Sequence, residues 1–183
     1  MKKLFLSIIL LLFCFTVNAQ FGASLGYESS KAKVSGDESF TTGYSGSLSI
    51  GLFYESDISN KLDLLSSFDF GIGEKVGDES NNTIAVGLDL QYYPAGKEYY
   101  EGFFIQPGIG FGYSLRDMDD GRDAIVGIGL SGSIGLGFDL SEKFTVIGSY
   151  RINLSDSSNI DGITTKISGF GASLLYKFKF RNK

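Results

Sequence analysis

Eight charged side chains on the polar face of an alternating pattern are the residues whose type and spacing could do chemistry. They are Glu55, Asp63, Asp69, Asp89, Asp139, Arg151, Lys177 and Lys179. Asp69, for example, stands between Phe68 and Phe70, and Asp89 between Leu88 and Leu90. Gathered in an enclosed space, carboxylates and cations can relay protons or ions, or they can pair and tie segments together. An unpaired buried charge costs several kcal/mol, so pairing is the expectation. At similar height Arg151 is placed to reach Asp69. Glu55, Asp63, Asp139, Lys177 and Lys179 gather near one end. The set reads as a structural charge network.

Other chemistry is scarce. The 183-residue chain has no histidine, so Ser–His and Asp–His machinery is excluded. No spacing singles out a Ser–Lys or carboxylate pair. The one cysteine, Cys14, lies in the leader, which leaves the mature chain without thiolate or disulfide chemistry. Phe13 is too bulky for a lipidation signal before Cys14. Residues 116–123 are rich in Asp and invite a calcium reading, but Arg116 and Arg122 compete for the carboxylates and the spaced glutamate of an EF-hand is missing. A solvated loop is the expectation. No catalytic, cofactor-binding or metal-binding residue is assigned, no cofactor is expected, and the chain reads as a non-enzyme.

The elements that must position the charges are β-strands. In residues 83–93 Ile84, Val86, Leu88, Leu90 and Tyr92 alternate with Thr83, Ala85, Gly87, Asp89, Gln91 and Tyr93. Period-two alternation gives a strand one apolar and one polar face. The same pattern occurs in residues 21–28, 44–55, 62–72, 103–115, 124–140, 144–154 and 165–180. The polar face is chiefly small, as in Gly127, Gly129, Ser131, Ser133, Gly135 and Gly137. Small residues suit the crowded interior of an eight-stranded barrel, and the bulky ones then face outward. The predicted fold is all-β, an eight-stranded antiparallel up-and-down transmembrane barrel.

The ends and connections fit a barrel in an outer membrane. Residues 1–19 read as a cleaved signal peptide: Lys2 and Lys3, an apolar run over 4–15, and small residues before Gln20. The run is too short for a spanning helix, which needs about 20 apolar residues. Residues 20–183 are then one barrel domain. Removal of Lys2 and Lys3 leaves 14 basic against 21 acidic residues, a net charge of −7, which disfavours nucleic acid. Connections 56–61, 94–101 and 141–143 are compact, whereas 29–43, 73–82, 116–123 and 155–164 are mostly longer and polar. Short periplasmic turns and longer external loops are the asymmetry of such barrels, and both termini fall in the periplasm. Residues 44–54 would rise roughly 23 Å along the membrane normal, near the height of the apolar band. Tyr54, Tyr92, Phe103, Phe138, Phe144 and Tyr176 are placed in a periplasmic aromatic girdle. Tyr27, Tyr44, Phe70, Tyr113 and Phe170 are placed in an outer one.

Pro107 stands mid-strand and cannot donate to a ladder, so a bulge or a missing hydrogen bond is expected there.

The run from Tyr92-Tyr93-Pro94-Ala95-Gly96-Lys97 through Gly102-Phe103-Phe104-Ile105-Gln106-Pro107-Gly108-Ile109-Gly110-Phe111-Gly112-Tyr113 resembles the small outer-membrane barrels common in Bacteroidota. The whole plan is similar to OmpX- and OmpA-type barrels of the porin family. The resemblance implies location in the cell outer membrane, contact with outer-membrane lipid, and insertion by barrel-assembly machinery. Such assembly favours a terminal aromatic, and here Phe180 is followed by Arg181, Asn182 and Lys183.

The expected role is structural or interactive, through external loops that meet a protein or polysaccharide ligand. A packed lumen argues against a large pore. A narrow channel for small solutes or ions is the alternative, and a soluble lipocalin-like lipid-binding barrel the third reading.

Overall fold

The computed structural model describes residues 19–35, 39–41, 44–73, 80–97, 102–117, 127–155 and 164–178. The strands are β1 (Ala19–Ser35), β2 (Ser39–Thr41), β3 (Ser45–Ser59), β4 (Leu62–Gly73), β5 (Ser80–Tyr92), β6 (Phe103–Asp117), β7 (Gly127–Asp139), β8 (Phe144–Asn153) and β9 (Thr164–Phe178). Each barrel strand pairs antiparallel with its sequence neighbour, and β1 pairs with β9 to close the sheet. Closure removes the edges of the barrel itself, which lets its strands pair their backbone groups around the ring without water. β2 pairs only with the C-terminal end of β1, so the barrel has eight staves.

Two features go beyond the alternation. β1 continues past Glu28 to Ser35, and β2 lies within what reads in sequence as loop 29–43. The period-two signal arises where one face meets hydrocarbon. Beyond the membrane that contrast ends, so an extended hairpin there carries no apolar alternation.

The bulky face points outward. Leu25, Leu48, Leu52, Phe68, Ile109, Leu136 and Phe170 are each between 51% and 61% exposed. So much exposed apolar surface suits lipid and not water, which removes the premise of a soluble lipid-carrying barrel. Aromatic pairs brace both rims: Phe21–Tyr54 at 5.0 Å and Phe144–Tyr176 at 5.1 Å on one, Tyr150–Phe170 at 4.8 Å on the other.

Pro107 interrupts the β5–β6 ladder without bending it. Pairing runs to Asp89↔Gly108 and resumes at Tyr92↔Ile105 in the same register. The outcome is a gap, not a bulge. On the other side Pro107 still pairs with Ile134. Gln91 and Gln106 face each other across the gap, and the Gln91 amide donates to Gln106 Oε1 at 3.1 Å. A buried side-chain bond thus stands where the backbone ladder is broken.

Candidate functional site in the barrel lumen

The lumen is built in layers. Large side chains at inward positions form a buried apolar cluster of Phe53, Leu65, Tyr93, Phe104, Ile147 and Leu175. Glycines make the room. Phe104 is paired with Gly137, where a Cβ would lie 2.0 Å from the ring. Phe53 is likewise paired with Gly22, where the distance would be 2.1 Å.

Towards the end that carries the β3–β4, β5–β6 and β7–β8 turns lies a polar layer. Lys177 Nζ binds Glu55 Oε1 at 3.0 Å and Asp139 Oδ1 at 3.5 Å. The Thr145 hydroxyl donates to Asp139 Oδ1 at 2.5 Å, and the Tyr93 hydroxyl to Asp139 Oδ2 at 3.1 Å. Tyr93 lies just beyond β5; burial, then the Asp139 and Glu55 carboxylates, push its phenol above the usual value. Asp63 is buried and is held by Lys97, which also binds Asp57 at 2.7 Å. Lys97 comes from the β5–β6 connection. Gly96 turns the chain at φ +82°, and the Lys97 amide then donates to Asn60 O at 2.9 Å. Glu55 Oε2 and Asp63 Oδ2 have no hydrogen-bond partner among the described residues. Carboxylate oxygens of Glu55, Asp57 and Asp63 lie within 4.8 Å of one another. The Lys97 ammonium already bridges two of them, where a metal ion would have to sit. Lys179 lies outside the described residues.

Towards the opposite end a cavity of about 130 Å³ is walled by Ser24, Ser67, Asp69, Asp89, Ser133 and Arg151. Phe53, Leu65, Ile147 and Leu175 also line it, so the apolar cluster forms its floor. Asp69 accepts from the Ser24 hydroxyl at 3.1 Å, and Asp89 from Ser133 at 3.4 Å.

Arg151 does not take Asp69. Its guanidinium binds Glu28 Oε2 at 3.2 Å. β8 and β4 stand on opposite walls of the barrel, so equal height does not bring Arg151 to Asp69. Between β8 and β1 lies only β9, whose inward residues here are Gly169 and Gly171. With no side chain in the way, Arg151 and Glu28 meet over that strand.

The sequence reading put Gln91 and Tyr93 on the inward face but missed the rest of the apolar cluster, Glu28, Lys97 and the Gln91–Gln106 contact. One signal was present. Phe53, Leu65, Phe104, Ile147 and Leu175 are large residues at parity positions otherwise given to Gly, Ser and charge. The acidic loop considered for calcium lies almost wholly outside the described residues.

A closed eight-staved barrel with a lipid-facing belt and a packed lumen defines the class of small outer-membrane barrels. The family model described as outer membrane protein beta-barrel domain matches residues 7–178, and the chain belongs to that family. Among solved structures it is similar to Neisserial surface protein A (NspA), with 14% identity over 85% of this chain and 97% of that one, TM-score 0.53. It is similar to Ail, the attachment invasion locus protein of Yersinia pestis, with 17% identity over 87% and 100%, TM-score 0.51. It is also similar to the outer membrane enzyme PagL, with 17% identity over 81% and 98%, TM-score 0.52. At these identities the likeness is one of fold. No curated protein matches the chain in sequence.

Proposed function

We propose that the mature protein begins at Gln20 after signal-peptide cleavage and acts through its external loops as an interaction or structural protein of the outer membrane, with a lumen that does not conduct. One observation carries this reading. The Phe53–Leu65–Phe104–Ile147–Leu175 layer lies across the lumen between the outer and periplasmic charge groups. A narrow channel would need water through that layer, and an eight-stranded barrel has little width to spare. Catalysis is not part of the proposal. The sequence lacks histidine, and the Ser24, Ser131 and Ser133 hydroxyls bond to a carboxylate or a carbonyl, not to an amine.

Two measurements test this together. Refolded protein in planar bilayers should give no conductance steps, with folding checked by heat-dependent gel mobility. An epitope placed within residues 156–163 should be reached by antibody on intact cells. Regular conductance steps would sink the closed lumen. An epitope reached only after lysis would sink the orientation.

A further inference from the structure

Outward positions of β1 and β9 are uncharged through both girdles and then turn basic above the outer one. On β1 they run Leu25, Tyr27, Ser29, Lys31, Lys33; on β9, Leu174, Ala172, Phe170, Ser168, Lys166. Lys33 and Lys166 are direct register partners. Like charges set opposite each other destabilise a strand pair, so such an arrangement calls for an anion. Lys31 lies next to them, its amine over the Tyr44 ring at 5.5 Å. Lys33 and Lys166 are exposed, and no described carboxylate forms an ion pair with any of the three lysines. Lys31 stands four residues beyond Tyr27, roughly 9 Å further along the normal, which is headgroup height.

Directly below, the apolar belt is dented. Gly148 and Ala172 are register partners that both face outward, and a Cβ at 148 would meet nothing within 4 Å. Their small size opens a groove of about 620 Å³ bordered by Leu25, Tyr27, Leu136, Val146 and Leu174. An anionic patch-filler that also carries long apolar chains fits both features at once.

We infer that Lys31, Lys33 and Lys166 hold the phosphates of a phosphorylated lipid of the outer leaflet, whose acyl chain lies in the Gly148–Ala172 groove. The inference rests on the orientation proposed above. The amines supply the charge, and the Thr41 and Ser168 hydroxyls, register neighbours of Lys33 and Lys31, stand beside them. The dented belt selects an amphiphile over a soluble anion.

Protein folded in non-ionic detergent is mixed with diphosphoryl lipid A or its dephosphorylated form, and retained lipid is read by native mass spectrometry. Wild type should prefer the phosphorylated form. The K31Q/K33Q/K166Q variant should bind it at least about tenfold more weakly, given the contribution of each surface lysine near anionic lipid. G148L, which fills the groove, should weaken both lipids while keeping the phosphate preference. K61Q/K143Q, altered at periplasmic turns, should bind as wild type. All variants must show folded gel mobility. Equal binding of the two lipids, or undiminished binding by the triple variant, overturns the inference. Full competition by equimolar pyrophosphate overturns the lipid assignment in favour of a bare anion site. An epitope at residue 37 that antibody reaches only after lysis points instead to failure of the orientation.

Discussion

Asp89 lies directly across the β5–β6 ladder from Gly108, and its carboxylate occupies the room a side chain there would fill. A Cβ at 108 would stand 1.7 Å from Asp89 Oδ1 and 2.7 Å from the Ser133 hydroxyl. The same arrangement recurs at Asp69 and Gly51, where the distance would be 2.1 Å. Each upper-lumen aspartate thus rests over a glycine of the neighbouring strand.

Gly108→Ala should therefore cost about 1–3 kcal/mol, the usual range for overpacking. Most of that should vanish in Gly108→Ala with Asp89→Ala, since the clash needs both groups. Urea unfolding in vesicles measures this. The chain has no tryptophan, so tyrosine fluorescence or gel mobility serves as the probe. Strict additivity of the two changes would rule the clash out.

The Gln91–Gln106 bond makes a second test. Gln106→Leu strands the buried Gln91 amide and should destabilise by about 1–3 kcal/mol. Replacing both glutamines by leucine removes this donor and acceptor together, while the Tyr93 hydroxyl keeps Asp139 and Asp89 keeps Ser133, so part of the loss should be recovered. A double variant as damaged as the single would show that the amide pair is not the relevant contact.

Lys177 is the one cation bonded to both Glu55 and Asp139 among the described residues. Lys177→Met leaves two buried carboxylates uncompensated and should cost about 3–5 kcal/mol. Neutralising the acids as well, with Glu55→Gln and Asp139→Asn, should recover part of the loss. Unfolding midpoints decide this, and an unchanged midpoint for Lys177→Met would contradict the network.

Tyr93 gives a pH signature. Its phenol is raised in the folded state, chiefly by burial, then by Asp139 and Glu55. An unfolded tyrosine ionises near pH 10. Above that pH the unfolded chain sheds a proton the folded barrel keeps, so stability falls as pH rises. Tyr93→Phe loses the hydrogen bond to Asp139 but is immune to this effect. The advantage of wild type over Tyr93→Phe should hold at pH 8 and narrow by pH 11. A constant difference over that span would show that Tyr93 is not protected.

Much of the fold was legible because membrane and lumen impose opposite demands on alternate residues. Ile84, Val86 and Leu88 announce a strand and its outward face without reference to any other segment. Eight such runs, closed on themselves, leave few architectures. The gap at Pro107 was legible too, because a missing N–H is a local fact. β2 and the far half of β1 were not, because beyond hydrocarbon neither face has to be apolar.

Residue type and parity thus settled on their own that the chain forms lipid-facing strands and which face of each strand turns to the lumen. Which of those side chains meet was decided only by closure and register. Arg151 takes Glu28 and not Asp69 because the one strand between them presents Gly169 and Gly171, while Asp69 stands on the far wall. Lys97 reaches Asp63 because the turn at Gly96 folds back on a neighbouring hairpin. A one-dimensional pattern carries height along a strand, but distance around a barrel exists only once the sheet has closed.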